Sequence, residues 1–355
     1  MLRAFYGDFG GMLPDKPRVC LKFFRHVLTN VVRPNKTEDR MSAPVPNLFV
    51  IGASKCGTTY FHDLLGQHPN IFMSRKKEPC YFIRPDHADY LEDYLAMFHE
   101  GAGHMWRGES SPAYSETLAF PNVARDIHRL SPDARIIYLV REPFARFKSV
   151  WAQTLCTGHW AEEKLFPMKM PRAYREAVFT YPTFLGGCRY WTNLSKFRTY
   201  FADEAIKVIL FEKFIADVPG TVREVLLFLG VRADVPMELH AGKQNSRAGK
   251  AIYHPWSKRF GRLVPSKVKD MIPSRLRLGL RALVNRLPNP EFDHTDLTAS
   301  EMHEIREQLA PEVRALYEYM GVKGDPWNFF PPLTAPGNRG PAEMAVEPVT
   351  KARRG

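Results

Sequence analysis

The chain has 355 residues, enough for one large α/β domain or two small ones, and its 45% hydrophobic and 12% aromatic content excludes wholesale disorder. Its formal net charge of +12 points to an anionic partner, whether nucleotide, polyanionic glycan, nucleic acid or membrane surface. The charge is concentrated, because twelve basic residues between Lys243 and Arg286 face the one acid Asp270 and carry +11 of the +12. The five cysteines, Cys20, Cys56, Cys80, Cys156 and Cys188, are scattered and form no C-x-x-C pair. That pattern argues against a disulfide framework or a zinc site and fits reduced thiols.

Residues 1–45 mix Gly, Pro and charge without periodicity, and are expected to form an extension with little structure of its own. They lack the apolar core and small-residue cleavage site of a signal peptide. No apolar run approaches the roughly 20 residues of a membrane span. On these grounds the sequence predicts a cytoplasmic protein, with peripheral membrane contact left open. NLFVIG (47–52) is a short apolar run ended by glycine, which reads as a buried strand. The loop ASKCG leads into TTYFHDLLGQHP, whose apolar residues fall at helical spacing with Pro69 just beyond them. A helix is expected over 118–130, then a second strand, ARIIYLV (134–140), and a helix PFARFKSVWAQTL with Pro143 in its first turn. A third strand, KVILF (207–211), precedes the helix VREVLLFLG, stopped by Gly230. Strands alternating with helices predict an α/β, P-loop-like three-layer fold with a central parallel sheet and helices on both faces.

Leu276, Leu280, Leu283 and Leu287 recur at helical spacing among the arginines of the basic stretch. Three readings stay open there: a helix packed on the domain, a surface that steers anionic glycans, or an amphipathic helix on anionic lipid. Nucleic acid is not expected, because no aromatic-interleaved binding motif accompanies the charge. Thr298 and Glu301 have capping-box spacing before a final helix, which Pro311 is expected to kink or split. The Pro- and Gly-rich residues 329–355 read as a disordered tail. The expected domain is therefore 46–328, with 243–290 as a basic lid or amphipathic segment.

GASKCGTTY (52–60) carries the chemistry. A glycine loop between a buried strand and a helix N-terminus presents several N–H groups to one anion, aided by the helix dipole. Gly57 permits close approach of the backbone, and Thr58 and Thr59 add hydroxyl donors. The G-x-x-x-x-G spacing is that of a Walker A loop, but Thr58 stands where its lysine belongs and Lys55 lies inside the loop. A lysine there lies near the oxygen bridging a 5′-phosphate to its leaving group, where it can neutralise developing charge without a metal.

The stretch VPNLFVIGASKCGTTYFHDLLGQHPNIFMSRKKEPCYF (45–82) resembles the opening of sulfotransferases that use 3′-phosphoadenosine-5′-phosphosulfate (PAPS), in particular the heparan- and other carbohydrate-type branch with its bacterial relatives. The resemblance implies PAPS as co-substrate, no metal, and a loop that cradles the 5′-phosphosulfate with Lys55, Cys56, Gly57, Thr58 and Thr59. It continues at RIIYLVREPFARFKSVWAQ (135–153), implying that Arg141 and Ser149 bind the 3′-phosphate. Arg146 and Lys148 are expected to be solvated helix positions. Ser246, Arg247 and Lys250, in KQNSRAGK, are candidates for a loop closing on the same phosphate, with a merely solvated basic loop as the alternative.

Sulfuryl transfer needs the acceptor hydroxyl to lose a proton. KKEPCYF (76–82) resembles the segment that bears the catalytic glutamate of heparan-type enzymes, which implies Glu78 as base beside Lys76 and Lys77. His62, His104 and His159 remain rival bases, since small-molecule sulfotransferases use a histidine; His68 reads as a helix-end residue. GESSPAYSE (108–116) departs from the family pattern, because several heparan-type enzymes carry a catalytic lysine where Ser110 stands. The role of Glu109 stays open between orienting the loop and contacting substrate. The expected activity is sulfuryl transfer from PAPS to a hydroxyl of a carbohydrate or glycolipid. The rivals are a P-loop kinase, which needs the lysine this loop lacks, and a non-catalytic nucleotide- or glycan-binding protein of the same fold.

Overall fold

The computed structural model describes residues 44–157, 170–239 and 295–330, with the side chains of 154–157 left out. Most of the expected N-terminal extension, the basic segment and the residues from 331 onward lie outside them.

Strand β1 (Leu48–Gly52) is followed by the loop and by helix α1 (Thr58–Leu65). After β2 (Ile71–Met73) and α2 (Leu91–Ala96) come β3 (Trp106–Ser110), α3 (Val123–Leu130), β4 (Arg135–Val140) and α4 (Pro143–Thr157). Helices α5 (Tyr174–Thr180) and α6 (Tyr190–Arg198) lead to β5 (Ile206–Leu210). Helices α7 (Phe211–Ala216) and α8 (Val218–Phe228) follow directly, and α9 (Ala299–Met320) closes the described part.

The five strands form one parallel sheet in the order β2-β3-β1-β4-β5. β1 lies at its centre, with Val50 opposite Ser110 of β3 and Ile137 of β4. Every residue of β1 is buried, as expected of a parallel strand covered on both faces, and this explains its unbroken apolar sequence. The architecture is the expected P-loop-like three-layer α/β fold. Because all strands run the same way, the loops after β1, β3 and β4 emerge along one edge, where ligands of such sheets bind.

Local departures from the expected elements have physical causes. β2 has three residues, too few to show a period, and β3 reads WRGES, whose buried glutamate and serine hide it among polar segments. α3 starts at Val123 rather than 118, just after Pro121. The final helix runs unbroken through Pro311 for 22 residues. Pro311 and Glu307, whose carbonyl loses its helical donor, both face solvent, so water can satisfy the freed group and the kinking cost is small. The capping box of that helix forms, with Thr298 and Glu301 each holding the other's backbone N–H. Phe329, placed by the sequence in the tail, is buried and stacks on Phe144 at 6.1 Å.

Candidate active site

The phosphate loop is shaped by two residues of positive φ, Lys55 at 69° and Gly57 at 80°. Alternation of left-handed and ordinary residues curls successive N–H groups toward one point, the anion-binding arrangement of a nest. Gly57 is required twice over. Its φ disfavours a side chain, and a Cβ there would meet the Phe211 ring at 2.9 Å. Thr58 and Thr59 open α1 at the mouth of the loop, Thr58 buried and Thr59 partly exposed. Cys56 turns its thiol into the core at 0% exposure, and burial pushes its pKa up to about 12. Its N–H is taken by the Ala53 carbonyl at 3.2 Å. The Cys56 side chain therefore faces away from any ligand, and its place in the loop is structural.

Helix α4 braces the loop from the β4 side. The Nζ of Lys55 donates to Gln153 Oε1 at 3.3 Å. Ser149, partly exposed, lies on the same helix one turn before Gln153. Arg146 is not the solvated residue expected from sequence. It is 0% exposed and donates through Nε to the Ser54 carbonyl at 2.9 Å and through Nη1 to the Thr183 carbonyl at 2.7 Å. The carboxylate of Glu116 lies 3.5 Å from its Nη2. It sits between Phe144 and Phe147 on a helix that also carries Lys148, Ser149 and Gln153, so its local sequence did not mark it as buried. Lys148 is the solvated neighbour, 59% exposed and 3.5 Å from Asp296.

Arg141 sits where β4 ends. Its Nη1 donates to the Lys55 carbonyl at 3.2 Å, and its guanidinium lies 4.5 Å from the centre of the Phe211 ring. Tyr190 fixes the backbone below it, donating to the Arg141 carbonyl at 2.6 Å. The buried Nε of Arg141 has no hydrogen-bond partner among the described residues. Arg141 and the Lys55 loop are thus in direct contact.

On the β3 side, the backbone N–H of Glu78 donates to the Ser110 carbonyl at 3.1 Å, which seats the 74–82 segment at the carboxyl end of β3. The Glu78 side chain is 52% exposed and pairs with Lys77 at 2.5 Å. Glu109, in β3, is fully buried and accepts hydrogen bonds from Tyr94 (2.5 Å), Tyr114 (2.8 Å) and Ser111 (2.6 Å). Burial pushes its carboxyl above the ordinary range, and the three hydrogen bonds pull it back. Ser110 is buried, 2.9 Å from His62 Nδ1, so it opens no lysine-like reach toward a ligand.

The histidines separate by position. His62 spends both ring nitrogens inside the fold, the second at 3.2 Å from the Ser74 carbonyl, and burial together with nearby Lys77 lowers its pKa. His104 precedes β3 and lies at the amino end of the sheet, opposite the phosphate loop. His68 is buried beyond α1, 2.9 Å from the Arg232 carbonyl, which makes it the structural helix-end residue expected. His159 and the candidates Ser246, Arg247 and Lys250 lie outside the described residues.

A loop with two positive-φ residues at the carboxyl edge of a parallel sheet, with a lysine inside it and an arginine at the end of the adjoining strand, is an arrangement chemically suited to a phosphate-bearing ligand. The family model described as the sulfotransferase domain matches residues 45–251, and the chain belongs to that family. It is 27% identical over 190 residues to heparan sulfate glucosamine 3-O-sulfotransferase 6 of Homo sapiens, an alignment covering 53% of each chain. It is 33% identical over 105 residues to the membrane-associated sulfotransferase kil1 of Dictyostelium discoideum, covering 29% of this chain and 21% of that protein. The chain thus spans about half the length, or less, of these relatives. A sulfotransferase from Alicyclobacillus acidocaldarius shares the fold, with a TM-score of 0.54 at 21% identity over 80% of this chain and 99% of that one. The expected cytoplasmic location is corrected by these relatives, one of which is membrane-associated by name. Among the described residues no helix is long and apolar enough to cross a membrane.

Proposed function

We propose that the protein transfers the sulfuryl group of PAPS to a hydroxyl of a carbohydrate, free or lipid-linked, and releases adenosine 3′,5′-bisphosphate. The observation that carries this reading is the contact between Arg141 and the Lys55 carbonyl, with the Arg141 Nε buried and unpartnered. It puts a guanidinium able to take a second phosphate against the loop built for the first, and so favours a doubly phosphorylated nucleotide. The loop N–H groups, Thr58 and Thr59 hold the 5′-phosphosulfate, and Arg141 with Ser149 holds the 3′-phosphate. Glu78 accepts the proton of the acceptor hydroxyl as its oxygen bonds to sulfur. Lys55 neutralises the bridging phosphate oxygen as the bond from that oxygen to sulfur breaks. A glycan acceptor is supported by the human relative, which by name acts on heparan sulfate glucosamine. The exposed Lys76 beside Glu78 suits an acidic one.

Incubation with PAPS and a panel of glycans, glycolipids and phenols tests the activity, and sulfated glycan is the expected product. Calorimetry is expected to show a clear preference for adenosine 3′,5′-bisphosphate over AMP; equal affinities would sink the reading. Arg141→Ala is expected to weaken the bisphosphate about 10- to 100-fold, the worth of hydrogen bonds to a charged group, while AMP binding barely changes. Equal losses for both nucleotides would remove Arg141 from the 3′-phosphate. Glu78→Gln is expected to lower kcat by about 10²- to 10⁴-fold, the usual range for a general base, with nucleotide affinity intact. Wild-type turnover in that variant would leave the proton without its proposed acceptor.

A further inference from the structure

Glu109 is 0% exposed, yet its carboxylate accepts three side-chain hydrogen bonds. Two of its three donors are relays. Ser111 gives its proton to Glu109 and with the same oxygen accepts from the Cys80 N–H at 3.1 Å. Tyr114 does likewise, accepting from the Tyr81 N–H at 3.0 Å. With the Glu78 N–H on the Ser110 carbonyl, three of the four residues 78–81 have their N–H groups pinned to 110–114. The remaining one is Pro79, which has none.

The pinned stretch is strained. Glu78 and Cys80 both have positive φ, 59° and 53°, a region that residues with side chains occupy only when the surroundings over-determine it. The polarity of the relays supplies that determination. A hydroxyl has one proton, and an ionised carboxylate can only accept. Glu109 therefore forces both hydroxyl protons inward and leaves both oxygens as acceptors for the backbone outside.

We propose that Glu109 is a positioning residue for the proton acceptor, holding the backbone that presents Glu78 through the Ser111 and Tyr114 relays. This rests on the sulfuryl-transfer reading and names the device that aims its base. The carboxylate is 0% exposed and meets no substrate itself.

Glu109→Gln keeps the shape but introduces an amide that donates, turning at least one relay around and leaving a backbone N–H facing a proton. Its kcat is expected to fall about 10- to 100-fold, as small displacements of catalytic groups do, with affinity for adenosine 3′,5′-bisphosphate unchanged. The decisive measurement is a double-mutant cycle. In a Glu78→Gln background, Glu109→Gln is expected to cost nothing further, since its effect passes through Glu78. Independent, multiplying losses would overturn the proposal, as would wild-type kcat in folded Glu109→Gln. Should that variant not fold, Tyr114→Phe and Ser111→Ala each delete one relay and are read in the same cycle. A wild-type protein that fails to prefer the bisphosphate over AMP overturns the sulfuryl-transfer reading itself; preserved preference with multiplying losses overturns only the role of Glu109.

Discussion

Lys55→Ala is expected to lower kcat about 10²- to 10³-fold, the range for removing one preorganised group from a developing negative charge, with little change in Tm. The side chain is partly exposed and donates to Gln153 at 3.3 Å, so its loss opens no buried cavity. The φ of 69° that Lys55 adopts is disfavoured equally for lysine and alanine, and the loop geometry carries over. Rate and melting temperature measured on one preparation separate the chemical role from a structural one. Activity equal to wild type would take the ammonium out of the mechanism, while a large fall in Tm would show the lysine to be part of the scaffold.

Arg146→Met is expected to do the reverse and act first on stability. The substitution removes a guanidinium from a site of 0% exposure and leaves the carbonyls of Ser54 and Thr183 and the Glu116 carboxylate without that donor. Breaking a buried pair by deleting one partner costs roughly 3–5 kcal/mol, which for a domain of this size is a fall in Tm of about 6–15 °C. Because Ser54 belongs to the phosphate loop, nucleotide affinity should drop with it. Thermal unfolding with and without adenosine 3′,5′-bisphosphate reads both effects. A variant that melts within a degree of wild type would mean that Arg146 does not hold the loop.

How much of this was legible in the sequence follows from what each residue's neighbours are in the chain. β1 and β4 announced themselves as apolar runs because the interior strands of a parallel sheet covered on both faces are apolar along most of their length. β5 showed as a shorter run at the sheet edge despite Lys207, and the loop between β1 and α1 showed its glycine spacing directly. Lys55 and Arg141 each follow a strand, so their approach to one edge was readable from strand direction alone. Their actual contact was not, since it depends on β4 lying next to β1. β3 escaped because its buried residues include Glu109 and Ser110, polar groups met by Tyr94, Tyr114 and Ser111 around the carboxylate and by His62 beside the hydroxyl. Arg146 was misread as solvated for the same reason: a charge looks like surface until carbonyls 37 residues away, at Thr183, come to meet it. Long-range partners leave no local trace. The resemblance put Cys56 among the loop residues that cradle the cofactor, and only its three-dimensional neighbours reveal that its thiol is buried in the core.

The strand order also bears on how the molecule comes into being. β1 is the earliest of the described strands in the chain, yet both its neighbours are encoded far downstream, β3 at Trp106 and β4 at Arg135. Pairings of that sequence separation form slowly, because a long loop must close before any contact rewards it. A nascent chain emerging from the ribosome therefore carries this apolar strand unpaired until about sixty residues have followed it out, and paired on one side only until about ninety have. That exposed strand is where a chaperone holding the growing polypeptide would be expected to bind, and the anion nest can form only after it lets go.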